Sequence, residues 1–242
     1  MSGEAKKSSV IFPPWVDDLV KLLGIGGGFF GAYTVVLVTF GFSPKTTDVN
    51  YMPEQPIPYS HKLHVGELGL DCRYCHTGVE KSAAGAIPPT STCMNCHHAI
   101  RRDSELLEPL RESYATGNPV EWVRVHDLAD FSYFNHSAHV TRGVSCVSCH
   151  GRIDKMEVVY QAEPLSMGWC LDCHRDPAKH LRPVDKVTDL AWEPEDLNGD
   201  GSTADEQYAI GTEIMKQSGL LDANGEKTWR MRQLTSCSTC HR

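Results

Sequence analysis

Ten cysteines fall into five pairs in a chain of 242 residues, and a histidine follows the second cysteine of every pair. The groups are Cys72, Cys75 and His76; Cys93, Cys96 and His97; Cys146, Cys149 and His150; Cys170, Cys173 and His174; and Cys237, Cys240 and His241. Each reads C-x-x-C-H. Two thiols three positions apart can add to the two vinyl groups of one haem, and the adjoining histidine can bind its iron as the proximal ligand. A disulfide framework gives no reason for the histidine. Zinc sites pair C-x-x-C units without needing it, and a redox C-x-x-C is expected once, beside a βαβ pattern. The expected cofactors are therefore five c-type haems, attached through the ten cysteines with the five histidines as proximal ligands.

Seven histidines remain to complete the irons: His61, His64, His98, His126, His136, His139 and His180. A histidine on the far side of the ring gives a six-coordinate, low-spin iron suited to electron transfer, and a methionine there raises the potential. His61 and His64 are three positions apart, as are His136 and His139, and the first of each pair stands ten or eleven residues before a haem cysteine. Near a helical turn the two rings of each pair can face different haems, so all four are expected as distal ligands. His126, in WVRVHDL, and Met156 are the leading candidates for the fifth distal position, ahead of Met167, His180 and His98. All five motifs end in histidine and spare ligands suffice to close every iron, which favours a conduit over an enzyme with an open iron.

The elements that must hold these groups repeat. Tyr59–His76 reads YSHKLHVGELGLDCRYCH and Phe134–His150 reads FNHSAHVTRGVSCVSCH. Each carries an aromatic residue, H-x-x-H-V, a glycine and C-x-x-C-H, and a second haem motif follows 21 residues after Cys72 and 24 after Cys146. This is a duplicated two-haem unit, about 59–97 and 134–174, with a fifth motif at 237–241. Periodic apolar residues predict short helices over Arg101–Thr116 and Ala204–Ser218, stopped by Gly117 and Gly219. The remainder is expected as turns wrapped around porphyrin, with the apolar rings supplying the core.

From Leu22 to Phe42 the chain reads LLGIGGGFFGAYTVVLVTFGF without a charged side chain. Twenty-one residues at helical rise cross a hydrocarbon core. The run starts late and lacks an A-x-A-like cleavage site, so a retained anchor is expected rather than a signal peptide. Residues 1–21 form a cytoplasmic or interfacial segment, in which Trp15 suits the headgroup layer. Lys6, Lys7 and Lys21 before the span, against Lys45 after it, favour a cytoplasmic amino terminus, and haem attachment requires the rest to be exported to the periplasm. Gly24 with Gly28, and Gly27 with Gly31, would allow close approach of a second membrane helix. A proline-rich connector at 43–58 leads to a periplasmic pentahaem domain at 59–242.

Acidic residues number 31 against 23 basic ones, a formal net charge of -8. That argues against a nucleic-acid partner and suits a basic redox partner, though it suits simple solubility equally. Residues 196–207 begin like a calcium loop, but Gln207 stands where a bidentate glutamate is required, so a polar turn is expected.

These features together describe a multihaem cytochrome c, mostly irregular with short helices around five haems, plus one amino-terminal transmembrane helix. The chain resembles the pentahaem membrane-anchored cytochrome c subunit of bacterial alternative complex III over its full length. The matching features are the single span at Leu22–Phe42, PYSHKLH at Pro58–His64, FNHSAHV at Phe134–Val140, SMGWCLDCHR at Ser166–Arg175 and CSTCH at Cys237–His241. The resemblance implies an electron relay in the bacterial inner membrane. Its expected partners are a polytopic quinol-oxidising membrane subunit, an iron–sulfur subunit, and a monohaem cytochrome c subunit, soluble carrier or terminal oxidase. The alternatives are a membrane-bound multihaem quinol dehydrogenase feeding a periplasmic reductase, or a multihaem reductase.

Overall fold

A computed structural model describes residues 12–41, 48–199 and 201–241. The chain separates into two units, Met1–Thr47 and Asp48–Arg242. Among its described residues the first contains one helix, α1, Trp15–Gly41, of 27 residues. At helical rise it is about 40 Å long, enough to cross a membrane by length and composition. It starts well before the uncharged run at Leu22, directly after Pro13 and Pro14, and Pro13 accepts the Val16 N–H at 3.0 Å. Asp17 and Asp18 occupy the first turn, where they complement the helix dipole, and Lys21 pairs with Asp18 at 3.3 Å. No residue of α1 is buried, and added methyl groups at Gly24, Gly27, Gly28 or Gly31 would meet nothing within 4 Å. Lys6, Lys7, Lys45 and Phe42 lie outside the described residues.

The second unit is built from short helices. They are α2, Cys72–Cys75; α3, Thr90–His97; α4, Glu108–Thr116; α5, His136–Val140; and α6, Val147–His150. The series continues with α7, Met167–Arg175; α8, Ala204–Gln217; α9, Trp229–Gln233; and α10, Cys237–Cys240. Among the described residues the extended pairings are two isolated bridges, Val144 with Leu181 and Leu221 with Lys227. A 3-10 turn, Glu105–Leu107, precedes α4, so the predicted helix over Arg101–Thr116 is split, with Pro109 in the first turn of its α part. Gly117 ends α4 at φ +77°, a left-handed cap that glycine adopts without steric cost. The predicted helix over Ala204–Ser218 forms as α8, with Ser218 as its cap.

The proline-rich connector is divided by the boundary after Thr47. From Asn50 onward it is fastened to the second unit. Asn50 donates to Gln161 at 2.8 Å, Gln161 returns a bond to Tyr51 at 3.1 Å, and the Gln55 amide exchanges two bonds with the Val123 backbone, each 2.9 Å. In the loop from 196, the Asp196 carboxylate accepts the N–H groups of Gly199 and Gly201 at 2.7 and 2.9 Å, the pattern of a polar turn. Asp200 lies outside the described residues.

The aliphatic core is small and lies toward the carboxyl end. Ala178, Leu181, Met215 and Met231 are buried together, with Val144, Ile214 and Leu220 packed around them. α8 lies so close to the Pro177–Lys179 turn that a methyl group on Gly211 would collide with the Ala178 carbonyl. Backbone cannot yield as a flexible side chain does. Gly211→Ala is therefore expected to cost about 1–3 kcal/mol and to lower the melting temperature by roughly 2–4 °C per kcal/mol. Calorimetry of the purified protein checks this; an unchanged melting point would mean that α8 is not held against Ala178.

Candidate functional site

Every C-x-x-C-H group forms a helical turn. The histidine N–H donates to the carbonyl of the first cysteine at 2.8 Å for His76 and Cys72, 2.9 Å for His150 and Cys146, and 2.8 Å for His241 and Cys237. In α3 and α7 the whole motif lies inside the helix. Residues i, i+3 and i+4 share one helical face, so each turn presents two thiols and an imidazole on the same side. Local sequence supports these starts. Asp71 caps α2 through the Arg73 N–H at 2.8 Å, and Ser166 caps α7 through the Trp169 N–H at 3.3 Å. All ten cysteines are free thiols.

Seven of the site imidazoles are held through Nδ1. His76 donates to the Ala86 carbonyl at 2.7 Å, His97 to Ile100 at 3.0 Å, His174 to Leu234 at 2.8 Å and His241 to Phe131 at 3.1 Å. His64, His136 and His139 donate to Ser60, Ala83 and Asn135, each at 2.8 Å. This arrangement puts the proton on Nδ1 and leaves the Nε2 lone pair free, the tautomer that ligates a metal. Ala86 is held at φ +59° to offer its carbonyl, a left-handed conformation that costs a non-glycine residue about 1–2 kcal/mol.

Three histidines from the H-x-x-H pairs face motif histidines. Ring centroids are 6.2 Å apart for His64 and His97, 6.4 Å for His136 and His150, and 6.1 Å for His139 and His174. Two imidazoles on opposite sides of one metal atom have centroids about 6 Å apart, from two bonds of roughly 2 Å plus half a ring each. Burial, with His76 and His64 beside it, lowers the pKa of His61 to about 4. Burial, with His126, His136, His76 and His61 nearby, lowers that of His150 to about 3. Both therefore stay neutral near pH 7, as ligands must.

The two repeats carry their histidine pairs on the same aromatic frame. Tyr59 meets His61 edge-on at 4.8 Å and 84° and stacks on His64 at 4.4 Å and 22°. Phe134 meets His136 edge-on at 4.7 Å and 86° and stacks on His139 at 4.7 Å and 25°. One ring thus orients both members of each pair. The aromatic residue is visible in the sequence as part of the repeat, but its bridging of the pair is a product of the turn.

The other sequence candidates are placed differently. His126 lies edge-on to His150 at 4.4 Å and 70°, too close for the two to bind opposite sides of one metal. The buried Met156 has its methyl group at the Gly151 side of the same motif. Both therefore stand at the third motif. Met167 and His98 are exposed, and His98 Nδ1 is bonded to the Met94 carbonyl at 2.9 Å. His180 is exposed as well. The His241 ring lies beside Phe131 at 5.8 Å.

The residues fit haem. Burial pushes the Cys149 thiol up to about 12 and the Cys173 thiol up to about 11, so both stand as neutral thiols. Among the described residues no three His, Cys, Asp or Glu side chains converge on a metal-sized point. What converges is a pair of imidazoles with two thiols on the turn of one of them. His61 Nδ1 and His126 Nε2 are buried without a hydrogen-bond partner.

Thiol pairs on helical turns and facing imidazoles are what a covalently held haem would need, and they stand in a chain mostly of short helices with, among the described residues, one long apolar amino-terminal helix. The chain is similar to the multihaem cytochrome c subunit of a menaquinone reductase from Nitratidesulfovibrio vulgaris, with 32% identity over 126 residues. The match covers 52% of this chain and 59% of that protein, so the chain spans about three fifths of the relative's length. No family model matches the chain.

Proposed function

We propose that the chain is the electron-transfer subunit of a quinol-oxidising membrane complex, relaying electrons through five covalently attached c-type haems. The observation that carries this reading is the set of facing imidazoles at 6.1–6.4 Å, each with one member on a C-x-x-C-H turn. The haems would supply one-electron iron couples whose potentials follow the axial ligands. The chain's own residues do the rest. Cys72, Cys75 and the eight other cysteines would hold the groups, and His76, His97, His150, His174 and His241 would ligate their irons. His61 and His64 would complete the first and second sites, and His136 and His139 the third and fourth. Tyr59, Phe134 and the backbone carbonyls keep the rings aimed, so little reorganisation accompanies electron gain or loss. For the fifth site, sequence reasoning offers His126 and Met156, although both stand nearer the third.

α1 anchors the chain in the bacterial inner membrane in this reading, with its amino terminus cytoplasmic and the 59–242 domain periplasmic. The polytopic quinol-oxidising subunit would pack on its glycine face. An iron–sulfur subunit would deliver electrons, and a monohaem cytochrome c, soluble carrier or terminal oxidase would accept them, as in alternative complex III. A second reading reverses the flow, because the relative from N. vulgaris is named as part of a menaquinone reductase.

If the irons are closed by histidine, ferrous protein is expected to bind little carbon monoxide, and ferric protein to show low-spin signals at the first four sites. Carbon monoxide difference spectra and electron paramagnetic resonance check this. A stoichiometric high-spin haem among those four would point instead to a multihaem reductase.

A further inference from the structure

The order of the motifs along the chain is not the order in which the structure connects them. We propose that the five attachment sites are strung in the spatial order second, first, third, fourth, fifth, so that the two duplicated units meet at their first members. This rests on the haem reading above.

The outer junctions lie inside the repeats. Tyr59 bridges His61 and His64, and the Asn95 amide of the second motif donates to the Tyr74 hydroxyl of the first at 3.2 Å. Phe134 bridges His136 and His139 in the same way, which joins the third site to the fourth.

The central junction joins the first and third sites through three separate contacts. The loop after the first motif holds His76 through Ala86 and His136 through Ala83, and the Ala83 carbonyl also takes the His136 N–H at 3.1 Å. Asp71, the cap of the first motif, accepts the Thr188 hydroxyl at 2.9 Å. The adjoining Val187 carbonyl receives the Cys146 N–H at 3.3 Å and the buried Ser145 hydroxyl at 2.8 Å. The π-helical turn Lys62–Glu67 packs on the 3-10 turn Ile153–Lys155 after the third motif, with Lys62 N–H donating to Met156 at 3.0 Å.

The fifth site joins the fourth. Leu234, just before the last motif, holds His174, and Lys227 donates to the Arg175 carbonyl at 3.1 Å. The Cys240 carbonyl takes the Tyr133 N–H at 2.7 Å, close to Phe134. The second and fifth sites are then the ends of the path, where donor and acceptor meet it. Loss of the first or third site cuts the path in its middle.

The test uses the full chain with its haems in detergent. Variants His61→Met, His64→Met, His136→Met and His139→Met each replace one imidazole by a thioether, which raises the potential at that site so that it is reduced first. Each variant also identifies its own signal by paramagnetic resonance. On graded reduction of His136→Met, the spin relaxation of the first- and fourth-site irons is expected to shift while the second-site signal is unchanged. The reciprocal His61→Met is expected to shift the second and third. A second-site response to His136→Met, without a first-site response, would overturn the order in favour of one following the sequence. Mass spectrometry of the same samples separates this from failure of the haem reading, since absent haems would refute that reading and leave no signals to order.

Discussion

Replacing His136 or His139 with alanine is expected to open two different iron sites. His136 faces His150 and His139 faces His174, and Phe134 meets the first ring edge-on and stacks on the second. Each loss should convert one low-spin signal to high spin, or recruit a weaker ligand, and shift that potential alone. Haem attachment should survive, because it uses Cys146, Cys149, Cys170 and Cys173. Electron passage through the chain should fall sharply in both variants, with a different spectroscopic signal lost in each. If both variants kept every site low-spin at unchanged potentials, neither histidine would be a ligand, and the pairing read from the ring distances would be wrong.

A chain produced without haem attachment is expected to lack a stable fold beyond α1. The buried aliphatic cluster around Leu181 and Met215 packs one corner. Elsewhere the motif cysteines and histidines are only partly buried, and large side chains such as Tyr74, Ile100, Leu106 and Tyr133 are exposed. So little buried apolar area does not offset the ordering entropy of a domain this size. Circular dichroism and limited proteolysis of the unmatured soluble domain, beside the matured one, check this. A protease-resistant, cooperatively melting apo-domain would show that the helices need no cofactor to hold them.

Much of the candidate site is legible in the sequence because haem attachment is local chemistry. Two thiols and a histidine at positions i, i+3 and i+4 fall on one face of a single helical turn, so the five turns could be read directly. The H-x-x-H pairs could be read for the same reason, since a short turn fixes the relation between His136 and His139. Which motif histidine each one faces could not, because that depends on contacts distant in sequence, such as Ala83 with His136 and Leu234 with His174. The meeting of Asp71 and Thr188 is equally invisible, since neither residue type announces a partner 117 positions away.

The secondary structure was legible where helix signals were strong and blurred where they competed. Ala204–Gln217 follows its apolar spacing, with acidic residues at its start and Lys216 in its last turn. Apolar spacing from Arg101 predicts one helix, but Pro109 favours a helix start near itself, and Arg101 is held at φ +50° outside the helical region. At the amino terminus the uncharged run marked what can cross a membrane, whereas the helix extends back to the proline pair through residues that need only backbone geometry. His126 stands out in the sequence for its hydrophobic setting in WVRVHDL, but neither that setting nor the position of Met156 tells which motif it approaches.

The central claim is that this chain carries five covalently attached haems. Intact-mass analysis of the purified, fully matured protein after denaturation measures that number directly. The account predicts the polypeptide plus five haems, with none released by denaturant. A mass corresponding to three or fewer in correctly matured protein would contradict it.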